Sequence, residues 1–77
     1  MEIELRLYGG LNRYAPDGQT CSVCRVAPSA MISDVVIRLG IPDTVHITLL
    51  RNGRREELSS RLEPKDTLTL LPDIDGG

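Results

Sequence analysis

Residues 2–8 alternate between apolar and polar, with Ile3, Leu5 and Leu7 on one side and Glu2, Glu4, Arg6 and Tyr8 on the other. A period of two with one apolar face predicts a half-buried strand. Gly9-Gly10 interrupts it, Leu11 and Tyr14 have the spacing of one packed helical turn, and Pro16-Asp17-Gly18 supplies turn chemistry. A second strand is predicted over residues 20–26, Thr-Cys-Ser-Val-Cys-Arg-Val. The period then changes. Ile32, Val35, Val36 and Leu39 stand at i, i+3, i+4 and i+7, one stripe of an amphipathic helix. Ser29, after Pro28, is the predicted N-cap; Gly40 suits a left-handed C-cap, and Pro42 prevents further helix.

Period two returns over residues 45–51, with Val45, Ile47 and Leu49 on one face and His46, Thr48 and Leu50 on the other. Asn52-Gly53 is a strong hairpin signal because both residues tolerate positive φ. Residues 54–58 are the predicted return strand, charged enough for a sheet edge. Residues 59–62 suggest a 3₁₀-like turn and Pro64-Lys65-Asp66 another turn. The last strand is predicted over residues 67–71, with Leu68 and Leu70 inward, and Pro72 ends it. The order ββαβββ predicts an α+β fold over residues 1–71: a mixed sheet of four to five strands with one helix packed across one face. Residues 72–77, Pro-Asp-Ile-Asp-Gly-Gly, are left as a flexible tail.

Composition narrows the function classes. A chain of 77 residues is one domain, and folding at this size removes only about 60% of the unfolded surface from water. With two tyrosines and no Phe or Trp, the core must be aliphatic. A multi-step enzyme with a deep pocket fits this size poorly, whereas a protein handled by larger enzymes fits it well. The net charge of -2, interspersed along the chain, argues against a nucleic-acid partner, which calls for a basic patch and stacking aromatics. Arg51, Arg54, Arg55, Arg61 and Lys65 concentrate in the second half and read as a solvated face around the hairpin, the alternative being a docking patch for an acidic partner. No apolar run approaches the roughly 20 residues of a membrane span. The start, Met-Glu-Ile-Glu-Leu, lacks a signal peptide's basic and apolar regions, so a cytoplasmic protein with reduced cysteines is expected.

Cys21-x-x-Cys24 invites a redox or zinc reading. Residues three apart on a strand are separated by about 10 Å, beyond the ~7 Å Cα limit of a disulfide, and they face opposite sides. Zinc needs about four ligands, which the lone His46 does not complete. Strand packing is expected instead, one cysteine inward and the other outward. His46 reads as a surface strand residue rather than a base, since no nucleophile accompanies it. Leu50, Leu71 and Tyr8 fall on the sheet face away from the helix, either as scattered surface groups or as a docking patch.

Three segments together carry a family resemblance. They are the helix Met31-Ile32-Ser33-Asp34-Val35-Val36 with its exit Leu39-Gly40-Ile41-Pro42, the hairpin Arg51-Asn52-Gly53, and Leu62-Glu63-Pro64-Lys65-Asp66-Thr67-Leu68 followed by Pro72 and Gly76-Gly77. In this order and spacing the chain is similar to the ThiS/MoaD family of ubiquitin-like sulfur carrier proteins, and most to the molybdopterin-synthase small subunit. Two departures stand out. Pro64-Lys65-Asp66 occupies the turn where the family usually has Gly-Asp, and Asp73 and Asp75 replace small or apolar tail residues.

The resemblance implies a β-grasp fold and a chemistry centred on the carboxylate of Gly77. A ubiquitin-activating-like adenylating enzyme would spend ATP to make the Gly77 acyl-adenylate. Sulfur from a persulfide donor would then replace AMP and leave a thiocarboxylate. Glycine at positions 76 and 77 suits entry to a narrow site, having no Cβ to obstruct it. The chain has no glycine-rich P-loop and no metal-ligand cluster, so it is expected to be carrier and substrate rather than enzyme, with no bound cofactor. The partners implied are that adenylating enzyme, the sulfur donor, and a large molybdopterin-synthase subunit or equivalent acceptor enzyme. Leu50, Leu71, Pro72, Asp73, Ile74 and Asp75 are the expected partner contacts, with Ile74 an apolar anchor. Three functions stay open: sulfur donation in molybdopterin biosynthesis, thiamine or another pathway; a ubiquitin-like modifier conjugated to lysines through Gly77; and a binding module whose diglycine is idle.

Overall fold

The alternating opening segment forms β1, Glu2–Leu7, and its apolar residues Ile3, Leu5 and Leu7 are fully buried. The computed structural model describes residues 1–73. A 3₁₀ turn, Leu11–Tyr14, follows, pinned by buried Leu11. Then come β2, Cys21–Arg25; α1, Ile32–Leu39; β3, Ile47–Arg51; β4, Arg54–Arg55; and β5, Thr67–Pro72. The strands form one sheet in the order β2-β1-β5-β3-β4. β1 and β5 run parallel at its centre and the other pairs are antiparallel, so the sheet is mixed, as predicted.

Register sorts the side chains. Leu5 lies beside Leu68, Leu7 beside Leu70, and Leu70 beside Leu49, so the apolar alternations of three strands share one face. α1 lies against that face through buried Ile32 and Val35, with Val36 and Leu39 partly covered. The core is aliphatic, and each fully buried side chain contributes about 1.5–3 kcal/mol. Cys24, opposite Ile3, packs against the core, while Cys21, opposite Arg6, is exposed; both thiols are free.

Several boundaries differ from expectation, each for a local reason. Ser29 is not the N-cap: it sits at φ 67, and Met31 occupies the cap position. The first N–H groups of α1 find distant carbonyls instead, Ile32 N–H donating to Ser60 O (2.9 Å) and Ser33 N–H to Leu58 O (2.9 Å). Asp34 also reaches back to accept from Met31 N–H at 2.9 Å. Serving α1 draws residues 58–60 out of the sheet, so β4 is two residues long rather than five. Residues 59–62 form no 3₁₀ turn; Ser60 N–H closes a turn to Glu57 O at 3.0 Å and Arg61 bridges to Met31. β3 starts at Ile47 because Val45 N–H turns back to Pro42 O (3.0 Å). The helix exit is as expected. Gly40 at φ 78 donates to Ile37 O, and Ile41 N–H to Val36 O, a Schellman motif with Ile41 buried beneath it.

The hairpin and the last turn are joined by one buried carboxylate. Asp66 is 6% exposed. Its Oδ2 accepts from Glu63 N–H (2.8 Å) and the Arg51 guanidinium (3.2 Å), and its Oδ1 from Asn52 Nδ2 (2.9 Å). Asn52 in turn accepts from Thr67 N–H (2.8 Å), while Asp66 O accepts from Glu4 N–H (2.8 Å). Arg51 therefore does not belong to the solvated basic face predicted for it. It is three-quarters covered, paired with Asp66 and Glu56, with its Nε buried and unpartnered among the described residues. Burial alone would raise the Asp66 pKa, but the hydrogen bonds from Glu63 N–H, Asn52 and Arg51 outweigh it and hold the carboxyl below its ordinary value.

The turn that presents Asp66 has Pro64 at its second position, Lys65 at φ 68 at its third, and Asp66 N–H bonded to Glu63 O at 3.1 Å. That is a type II pattern, which favours glycine where Lys65 stands. Lys65→Gly should raise stability by about 1 kcal/mol in urea unfolding, from relief of left-handed strain. Asp66→Ala should cost about 2–3 kcal/mol, a value reduced by the partial exposure of Arg51. Because the folded pKa of Asp66 is depressed, its contribution is fully present above the unfolded value near ~3.9 and is lost as pH falls through the folded value. Asp66→Asn should be less stable at neutral pH and show a shallower loss of stability on acidification.

Candidate functional site

The candidate site is the end of β5, from which the tail departs. β5 is bonded on both sides, to β1 and to β3, and the two ladders end differently. Against β1, Tyr8 N–H donates to Leu70 O at 3.0 Å. The next bond on that side would need an N–H from residue 72, and proline has none. Against β3, Pro72 pairs with Ile47, and Asp73 N–H still donates to His46 O at 3.0 Å. β5 therefore runs one residue beyond the predicted end at residue 71. The chain leaves the sheet released from β1 but held to β3.

Gly9 sets the place of release. It lies at φ 63, and a Cβ there would overlap the Pro72 ring, so only glycine lets the β1 exit pass this close. Leu11 N–H then bonds to Tyr8 O (3.1 Å) and leads the chain into the 3₁₀ turn.

The sheet face away from α1 carries the predicted patch. Thr48 pairs with Leu71 and Leu50 with Thr69, which puts Leu71 and Leu50 diagonal to each other on this face. Both are half-buried; Tyr8, one alternation past Arg6, is 38% exposed on the same side of β1. His46 is exposed at the same end, in line with Thr48 by alternation. Nearby Arg6 is engaged by Glu4 at 2.6 Å, with both side chains 42% exposed. The structure thus puts Leu71, Pro72 and Asp73 at one end of the sheet, with Leu50 on the same open face but opposite Thr69, three residues back along β5 from Pro72. Ile74, Asp75, Gly76 and Gly77 lie outside the described residues. Two elements of this site went unread in the sequence: the Gly9–Pro72 contact, whose only signal is Gly9 directly after a strand, and the Asp66 cluster that sets the register of β5. Among the described residues, no group of three or more His, Cys, Asp or Glu side chains converges as a metal site would. No helix among them is long and apolar enough to cross a membrane.

No protein-family model matches the chain, and no curated protein sequence matches it. Solved structures do. SAMP1, the small archaeal modifier protein 1 of Haloferax volcanii, is 25% identical over 100% of both chains, with a TM-score of 0.78. Subunit 1 of the molybdopterin-converting factor of Helicobacter pylori, solved in complex with subunit 2, is 19% identical over 100% of both chains, with a TM-score of 0.65. A ubiquitin-like protein of Caldiarchaeum subterraneum is 18% identical over 95% of this chain and 96% of its own, with a TM-score of 0.55. The chain has the β-grasp fold of ubiquitin-like proteins, of the ThiS/MoaD-like kind that the motifs implied.

Gly9→Ala should destabilise the protein by about 2 kcal/mol or more, combining left-handed strain with displacement of Pro72. In a Pro72→Ala background the same substitution should cost about 1 kcal/mol less, measured as a double-mutant cycle in urea. Equal costs in both backgrounds would show that the contact with Pro72 is not what requires glycine.

Proposed function

We propose that this chain is a cytoplasmic carrier of an activated C-terminal acyl group, and that its principal cargo is sulfur. The observation that carries the reading is the end of β5. A central strand closes at Pro72 with its ladder to β1 stopped, and the sequence continues through Asp73, Ile74 and Asp75 to Gly76-Gly77. A β-grasp domain of this size offers a stable handle for a larger enzyme while the tail enters that enzyme's site. The chain is then substrate and carrier, not catalyst.

A carboxylate resists nucleophiles and must first be activated. An adenylating enzyme joins the Gly77 carboxylate to the α-phosphate of ATP and releases pyrophosphate. A persulfide sulfur then attacks the acyl carbon and displaces AMP, forming an acyl disulfide. A thiol reductant cleaves its S–S bond, and Gly77 keeps the terminal sulfur as a thiocarboxylate. ATP belongs to the partner throughout. The sulfur acceptor in this reading is a molybdopterin precursor held by a large synthase subunit, supported by the likeness to a converting-factor subunit that was solved with its second subunit. Ile74 would anchor in an apolar part of that subunit, with Asp73 and Asp75 against basic groups.

A second reading has a specific observation behind it. The likeness to an archaeal modifier protein, with both chains covered in full, supports conjugation of Gly77 to lysine amines. Both readings share the acyl-adenylate and diverge at the nucleophile, sulfur or amine.

Incubation with an adenylating enzyme, ATP and a sulfur donor should add about 16 Da at Gly77 by mass spectrometry, oxygen being replaced by sulfur. A chain lacking Gly77 that still gains this mass would sink the proposal. Higher-mass conjugates in cell extract, with no thiocarboxylate, would select the modifier reading. Leu50→Ala and Leu71→Ala should each weaken binding to the adenylating enzyme by about tenfold while leaving the fold intact, which titration calorimetry can check.

A further inference from the structure

The helix side of the domain is not closed where α1 ends. By the register of β4, Leu58 would stand opposite Ile47 and cover that part of β3. Glu56 N–H still donates to Leu49 O at 2.9 Å, but Leu58 O turns away to Ser33 N–H of α1. The result is a groove of about 200 Å³ between the exit of α1 and β3, lined by Val36, Ile41, Val45, Ile47 and Leu58, and by Asp43.

Four large apolar side chains are exposed among the described residues, and two of them border this groove: Ile37, 74% exposed, and Leu58, 48% exposed. Leu58 is held beside Ser33, and Ile37 lies one turn beyond Ser33 on α1. The two therefore follow one another along the helix at a spacing of about one turn, ~5.4 Å. The rim is acidic. Asp43 is exposed, and so is Glu57, which precedes Leu58. The cations of neighbouring elements are engaged or further off. Arg38 donates to Arg25 O, Arg51 is held by Asp66 and Glu56, and Arg54 and Arg55 belong to the hairpin, opposite Arg51 and Leu50. The groove also adjoins the exit of the tail. Ile47 pairs with Pro72, and the carbonyl of His46, another lining residue, accepts from Asp73 N–H.

We propose that this groove docks an amphipathic helix of the enzyme that takes the tail, one with an aliphatic stripe flanked by lysines and arginines. Laid along α1, such a helix repeats its apolar side chains at the spacing of Leu58 and Ile37, with one of them entering the groove between Val36 and Ile47. Its cations meet Asp43 and Glu57. Charge disfavours the other occupants. A second copy would bring its own acidic rim, and the chain's own tail carries Asp73 and Asp75. Naming the partner as the enzyme that takes the tail rests on the carrier reading above. The preference of the groove for a basic amphipathic helix does not, so it is tested without any acyl-transfer step.

The probe is a capped synthetic peptide, Lys-Ala-Leu-Arg-Lys-Leu-Leu-Lys-Ala-Leu-Arg-Lys, titrated into the full-length ¹⁵N-labelled chain. Amide shifts should saturate at Val36, Ile37, Ile41, Ile47 and Leu58 and leave Tyr8 and Val23 unmoved, and the circular dichroism of the peptide should turn helical. A peptide with the same leucines but glutamates in place of the cations should bind about fivefold more weakly, or worse. Asp43→Lys with Glu57→Lys should reverse that preference, a gain of binding that an unfolded variant cannot produce. Ile37→Asp with Leu58→Asp changes two exposed positions and should abolish the shifts while the spectrum stays dispersed. Equal binding of both peptides, undiminished binding to the doubly aspartate-substituted chain, shifts centred on Leu50 and Leu71, or no saturation would overturn the proposal. Without peptide, shifts at the same amides on dilution would assign the groove to a second copy, and shifts on deletion of residues 74–77 would assign it to the chain's own tail; either result would also overturn it.

Discussion

The buried carboxylate of Asp66 is the constraint on which the rest of the sheet depends. A carboxylate removed from water is costly unless its oxygens are satisfied, and here three donors come from two separate segments: Arg51 and Asn52 on the β3–β4 side, and Glu63 from the preceding turn. Its backbone carbonyl holds a fourth, Glu4 of β1. β5 begins at the next residue, so this cluster fixes where β5 starts against both of its neighbours. A slip of one residue would send Leu68 and Leu70 to the open face and bring Thr69 and Leu71 into the core. It would also move Pro72 away from Gly9. The position of the tail is thus decided six residues upstream, by a polar cluster at the opposite end of the strand.

What happens at the far end follows from missing atoms. Pro72 lacks the N–H that would prolong the ladder to β1, and Gly9 lacks the Cβ that would push the proline ring aside. These two absences let β1 and β5 part company at one level of the sheet. β3 keeps hold for one residue more, through His46 O and Asp73 N–H. The tail therefore leaves from a defined point while its departure is opposed on one side only.

Periodicity made most of the fold readable from the sequence, because each strand and α1 buries one face and the stripe shows it. Leu50 and Leu71 were placed correctly for the same reason. The features that periodicity missed are those set by contacts distant along the chain. Ser29 has the chemistry of a cap, yet the N–H groups it would have served are taken by carbonyls of Leu58 and Ser60, and no local pattern announces that. Arg51 looked like part of a basic surface because charge alone does not reveal burial; its partner Asp66 lies fifteen residues on. The turn at Lys65 was obscured by the lack of the glycine that its positive φ would favour.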